Sequence, residues 1–261
     1  MPELPEVETV VRTLAPRIEG RRILDVQFYS KQILRHCGAK PGALRDRRVV
    51  RVGRRGKFIV IDLDRGFLVI HLGMTGQILF DTPRTTHTRA IITLEGTSMM
   101  YEDSRMFGSI EWGERLTARV EKLGPEPFDI SAADFHAELQ RHRGPIKSLL
   151  LNQGFVRGVG NIYADEALFR AGIHPRTRAS RIRRLRADRL HAEMQAILLA
   201  AIENRGSSVS DYRDAEGRKG EFQKLHRVYD REGQPCLVCG GPIRRIVLGG
   251  RGTHYCPRCQ R

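Results

Sequence analysis

Apolar residues Val7, Val10, Val11 and Leu14 recur at the i, i+3, i+4, i+7 spacing of one helical face, so residues 5–15 read as an amphipathic helix. Pro5 suits its first turn, where a missing N–H costs nothing, and Pro16 is expected to end it. The period then changes. The runs ILDVQFY, RVVRVGRRGKFIVIDL, FLVIHLGMTGQILF, RAIITL, MMYED and FGSIEW are short, alternating or apolar, rich in Val, Ile and aromatics, and divided by Gly, Pro and Asp. They predict an antiparallel β-sandwich or barrel over residues 20–115.

The stretch KLGPEPFD at 122–129, with two prolines and a glycine, marks an expected domain boundary. Helical patterning follows. Ser131 with Asp134 resembles a capping start for ADFHAELQRH; PIKSLLLNQ, a GVGN turn and IYADEALFRAG come next. A long helix is expected over 187–204, with Leu190, Met194, Ile197, Leu198, Ala201 and Ile202 on its buried side. Residues 205–222 are polar and glycine-containing and read as a long flexible loop, and the remainder reads as a small separate unit. The class is therefore α+β, with expected domains 1–122, 123–225 and 226–261.

Charge adds a partner to this outline. Lys and Arg number 45 against 30 acids, a net +15. Such an excess calls for an anionic partner, nucleic acid before any other, over a surface that is basic only for solubility. No apolar run is long enough to span a membrane, and the acidic, proline-rich start is unlike a signal peptide, so a cytoplasmic, nucleoid-associated protein is expected.

Four of the five cysteines, Cys236, Cys239, Cys256 and Cys259, form C-x2-C-x16-C-x2-C, the spacing of a four-cysteine zinc site; two disulfides are the weaker alternative. With no position left open for water, one structural zinc is expected, held by a β-hairpin finger carrying Arg244, Arg245 and Arg251. Cys37 stands alone as a buried or neutral residue. Gly158 and Gly160 precede Asn161, expected to be the N-cap of the next helix, with Asp165 and Glu166 favourably placed for its dipole. Backbone N–H groups at such a turn can meet a phosphate, although a bland helical hairpin fits equally well.

Pro2 would become a terminal secondary amine once Met1 is removed, a nucleophile able to form an iminium with an aldehyde carbon, and Glu3 beside it could act as acid or base. Taken alone, Pro2 reads rather as part of a trivial terminus with a helix-starting proline. In order, PELPEVET, GRRGKF, HLGMTG, RMFG, GVGNIYADEALFRAGIHP and the four-cysteine finger closely resemble the bacterial formamidopyrimidine-DNA glycosylase (8-oxoguanine DNA glycosylase/AP lyase) family, over essentially the whole chain.

The resemblance implies a monomer with an N-terminal β-sandwich bearing the catalytic helix, and a helix-two-turn-helix domain with the zinc finger, duplex DNA lying in a basic cleft between them. It makes Pro2 the nucleophile at C1′ of the damaged nucleotide, Glu3 the acid/base that opens the sugar and Glu6 a supporting residue. Lys57 is matched to proton donation in β-elimination and Arg251 to phosphate binding and δ-elimination. Met74, Arg105 and Phe107 are matched to filling the gap left by the flipped base, and His71, His87, Arg143, Lys147 and Asn161 to DNA contacts. Loop 205–222 matches the one that closes over 8-oxoguanine. The chain departs from the family where DSRMFG puts Met106 in place of an arginine, and TTHTR stands at His87 in place of KHDHV. An endonuclease VIII-like enzyme for oxidised pyrimidines and a non-catalytic zinc-ribbon DNA-binding protein are the rival readings.

Overall fold

The computed structural model describes residues 1–34, 41–209 and 212–261; Cys37 lies outside them. The chain divides into two compact units, 1–122 with 204–221, and 123–203 with 222–261.

In the first unit, helix α1 (Leu4–Ile18) begins at Glu3, whose backbone N–H donates to Glu6 Oε2 at 2.8 Å as in a capping box. Pro16 does not end it: the helix continues to the buried Ile18. Two four-stranded antiparallel sheets follow. One has the order β1-β6-β7-β5 (Ile23–Phe28, Thr88–Leu94, Thr97–Glu102, Gln77–Phe80). The other has the order β2-β3-β4-β8 (Val49–Arg55, Phe58–Leu63, Phe67–His71, Ser109–Gly113). Strict alternation along β6 turns every second residue into the core. α1 adds Val7, Val10, Val11 and Leu14 to that core beside residues of both sheets, and Phe28 of β1 stacks on Trp112 of β8 at 5.3 Å.

The predicted flexible loop is tied down instead. Ser207 N–H donates to Glu6 Oε1 at 2.7 Å, the Tyr212 hydroxyl to the Glu6 carbonyl at 3.1 Å, and Ala215 N–H to Thr13 Oγ1 at 3.2 Å. The buried Asp214 folds the loop on itself by accepting from the Glu216 and Arg218 N–H groups. Short polar side chains competing for backbone partners give this stretch the composition of a loop while supplying the bonds that order it.

The second unit is helical before the finger. After the four-residue α2 (Ala118–Glu121) of the first unit come α3 (Ala132–Arg141), α4 (Ile146–Leu150), α5 (Asn161–Ala171) and α6 (Arg184–Glu203). Ser131 caps α3 as expected, its Oγ accepting from Asp134 N–H at 3.1 Å. α6 starts a turn earlier than its apolar stripe indicated, and Ile202 is only half-buried. The closing hairpin pairs β9 (Arg244–Leu248) with β10 (Arg251–Tyr255). Among the described residues, no helix is long and apolar enough to cross a membrane.

Candidate functional site

Most of the residues singled out in the first unit fall on three features. The first is the chain start: Pro2, Glu3 and Glu6 are all buried, and the Glu6 carboxylate joins the Glu3 N–H to the Ser207 N–H. Gly206 makes this possible. Its φ is +78°, and a Cβ there would lie 2.5 Å from Glu6 Oε1. The second feature is Lys57, in the two-residue turn between β2 and β3. Arg55 pairs with Phe58, and Gly56 takes φ +57° at the first turn position, as a type II′ hairpin requires. Lys57 is largely buried.

The third feature is a pair of abutting turns presenting Met74, Arg105 and Phe107. Met74 and Phe107 are exposed, and the Arg105 guanidinium lies 4.8 Å from the centre of the Phe107 ring. Asp103, buried at the end of β7, holds both turns: Oδ2 accepts from Gly108 N–H at 2.8 Å and Oδ1 from the Thr75 hydroxyl at 2.6 Å. Thr75 Oγ1 in turn accepts from Arg105 N–H at 3.2 Å. A Cβ on Gly73 would sit 2.5 Å from Phe107 C, and one on Gly108 only 1.7 Å from the Tyr101 hydroxyl oxygen, so the turns touch backbone to backbone. Met106 sits between Arg105 and Phe107 with φ +53°, its sulfur 3.7 Å from Ser30 Oγ.

His71 is half-buried against Phe58, with ring centres 4.8 Å apart. Burial, reinforced by Arg119 and Lys57, pushes its pKa down to about 4. Its Nδ1 accepts from Gly73 N–H at 3.2 Å, as a neutral ring allows. His87 is exposed and lines a cavity of about 340 Å³ with Thr75, Gln77, Glu102, Arg213 and Lys219. Sequence reading missed Asp103 as the organiser of the two turns. The only sign of it was a carboxylate placed just before an Arg-x-Phe-Gly run.

In the second unit, the Sγ atoms of Cys236, Cys239, Cys256 and Cys259 all lie within 4.8 Å of one another. The closest pairs, Cys239–Cys256 at 3.5 Å and Cys236–Cys259 at 3.8 Å, are far beyond the ~2.05 Å of a disulfide. They match the edge of about 3.8 Å that follows from tetrahedral Zn–S bonds of about 2.3 Å. Cys236 and Cys256 are buried with Phe169, Val228 and Ile243. Four thiolates complete the coordination of one structural zinc and leave no position for a reacting water.

The hairpin turn Gly249–Gly250, with φ +55° and +72°, is of the two-residue type that needs both residues left-handed, and it sets Arg251 exposed beside the tip. Arg244 lies at the cysteine end opposite Tyr255, and the Arg245 guanidinium lies against Gly252, so of the three finger arginines only Arg251 flanks the turn. Arg143 is exposed.

Three expectations change here. Asn161 is not the cap of α5: Gly160 occupies that position, and the Asn161 side chain donates instead to the Gly252 carbonyl at 3.0 Å. Asp165 and Glu166 do not serve the helix dipole. Asp165 accepts from His254 N–H at 2.8 Å, and Glu166 from the N–H groups of Arg227, Val228 and Tyr229. Lys147, matched by the resemblance to a DNA contact, is buried. Its ammonium is fully buried, 2.6 Å from Asp165 Oδ1, and donates to Thr253 Oγ1 and the Gly252 carbonyl. α4 and α5 thus hold β10 by the three residues that follow Arg251, Gly252, Thr253 and His254.

Three family models match in succession. They are the formamidopyrimidine-DNA glycosylase N-terminal domain over residues 1–110, its H2TH domain over 123–213, and the zinc finger found in FPG and IleRS over 233–261. The chain is 54% identical to the formamidopyrimidine-DNA glycosylase of Solibacter usitatus and 44% identical to that of Thermus thermophilus, covering 100% of itself in both and 100% and 98% of those proteins. Among solved structures, the MutM (Fpg) protein of Thermus thermophilus superposes with a TM-score of 0.91 at 42% identity, over 99% of this chain and 98% of that one. A Lactococcus lactis Fpg variant in complex with DNA containing Fapy-dG superposes with a TM-score of 0.92 at 35% identity, over 100% of both chains. With all three domain models matched in order and relatives similar from end to end, the chain belongs to the formamidopyrimidine-DNA glycosylase family of DNA-repair enzymes.

Proposed function

We propose that this glycosylase excises oxidised purines, 8-oxoguanine and formamidopyrimidines, from duplex DNA and then cuts the strand as an AP lyase. The observation that carries the reading is the start of α1. Pro2 and Glu3 are buried there, and Glu6 ties that start to residue 207 of the loop, a degree of order that an idle terminus does not need. The related Lactococcus lactis structures hold DNA containing Fapy-dG or an abasic site, which supports the same class of substrate.

A base within a duplex hides its glycosidic bond, so it must be flipped out, and Met74, Arg105 and Phe107 are suited to fill the gap. With Met1 removed, the Pro2 nitrogen bonds to C1′ as the glycosidic bond breaks and the base leaves with the electron pair, taking up a proton. Loss of the proton on Pro2 and protonation of O4′ by Glu3 open the sugar and leave an iminium. The iminium acidifies the C2′ proton. Its removal expels the 3′ phosphate, with Lys57 supplying a proton, and a second elimination assisted by Arg251 expels the 5′ phosphate. Cys236, Cys239, Cys256 and Cys259 would hold the zinc that fixes the finger carrying Arg251.

Borohydride should trap the Met1-free protein covalently on a duplex with 8-oxoguanine opposite cytosine, and Pro2→Gly should abolish trapping. Trapping unchanged in Pro2→Gly would overturn the assignment. Faster nicking of duplexes carrying oxidised pyrimidines would favour the endonuclease VIII-like reading.

A further inference from the structure

We propose that Arg54 and Glu8 are a positioning pair that sets the turn carrying Lys57 against the helix that begins at Pro2 and Glu3. Arg54 is the penultimate residue of β2, and its side chain is 9% exposed. One edge of its guanidinium donates from Nε to Glu8 Oε2 on α1 at 3.0 Å. Another nitrogen, Nη1, donates to the Gly56 carbonyl at 3.1 Å. That carbonyl belongs to the planar peptide joining Gly56 to Lys57. A bond to it therefore fixes the orientation of the peptide from which the Lys57 side chain departs.

Glu8 is equally committed. Its second oxygen accepts from Arg12 Nε at 2.9 Å, one turn further along α1. Burial works against the charged carboxyl, but the bonds from Arg12 and Arg54 outweigh it and hold the group below the usual carboxylate range, so Glu8 is ionised at neutral pH. A charge pair this enclosed adds little net stability, because desolvation offsets its attraction. What it supplies is geometry. The fork of a guanidinium can reach a carboxylate and a carbonyl in fixed directions, which a single ammonium cannot reproduce. The consequence for catalysis rests on the reading that Pro2, Glu3 and Lys57 carry the reaction.

The test uses full-length, Met1-free protein in single-turnover cutting of a duplex with 8-oxoguanine opposite cytosine, at saturating enzyme. Arg54→Gln should slow cutting by roughly 10- to 100-fold, the order expected for a misplaced catalytic group. Affinity for a duplex with an abasic analogue and zinc content should stay at the wild-type level. Glu8→Gln should slow it similarly, and the double variant should be no slower than either single one. Arg54→Lys, which keeps a cation beside Glu8, should restore the melting temperature but not the rate, an outcome that a merely structural pair would not give. A wild-type rate in Arg54→Gln, additive losses in the double variant, or a rate that recovers with stability in Arg54→Lys would each overturn the proposal. Lys57→Ala is the control: if it cuts at the wild-type rate, the catalytic reading fails, whereas a slow Lys57→Ala beside a fast Arg54→Gln fails the positioning pair alone.

Discussion

Gly108 shows how much a single position can hold. Its missing side chain lets the turn with Phe107 lie against the backbone of His71 and the hydroxyl of Tyr101, while its N–H is bonded to the buried Asp103. A methyl group there would meet the Tyr101 oxygen at 1.7 Å and the His71 carbonyl oxygen at 2.5 Å, and the second of these is backbone and cannot swing away. Gly108→Ala should therefore cost about 1–3 kcal/mol or more in denaturant unfolding, with a marked loss of binding to lesion DNA. An unchanged midpoint would show that the two turns are not locked together as described. The residue types Met74, Arg105 and Phe107 were readable from the sequence. Asp103 as their common anchor was not, because it acts through hydrogen bonds to residues 28 positions away as well as nearby.

At the scale of elements, α4, α5 and β10 are joined by one buried ion pair. Lys147 and Asp165 are both fully enclosed, and both reach the strand that follows Arg251. Removing one partner leaves an uncompensated charge in the interior, so Asp165→Asn or Lys147→Met should destabilise the second unit by roughly 3–5 kcal/mol. The double variant Lys147→Met/Asp165→Leu should recover much of that stability. Far-UV circular dichroism under denaturant and zinc release are the measurements. A double variant as unstable as the sum of the single ones would count against the pairing. Periodicity found these elements, but it left Lys147 unmarked, because a lone lysine after an apolar residue carries no sign of its burial.

At the scale of the whole molecule, histidine burial couples stability to pH. Burial lowers His71 and His226 from their ordinary value near 6.5 to about 4. The fold thus favours their neutral forms. The stabilisation is fully present above pH 6.5 and is lost as pH falls from there through about 4, where the unfolded chain binds protons that the folded one refuses. The melting temperature should drop between pH 7 and pH 5, and the drop should be smaller in His71→Gln. An equal drop in both proteins would remove His71 from the account.

The local rules of the chain determined the rest of the outline. Side-chain period separates α1 from the strands, Pro and Gly mark the turns, and the paired cysteine spacing specifies a metal knuckle, because each of these depends on neighbours within a few residues. Tertiary structure decided what those rules cannot reach. It carried α1 past Pro16 by burying Ile18, and it fastened a polar loop to Glu6 and Thr13 across some 200 residues of sequence. It also took Asn161 and Asp165 from capping and dipole roles into the support of β10, and it buried Lys147 beside them. In each case the deciding partner is distant in sequence, and a buried polar group takes whichever partner the fold brings within reach.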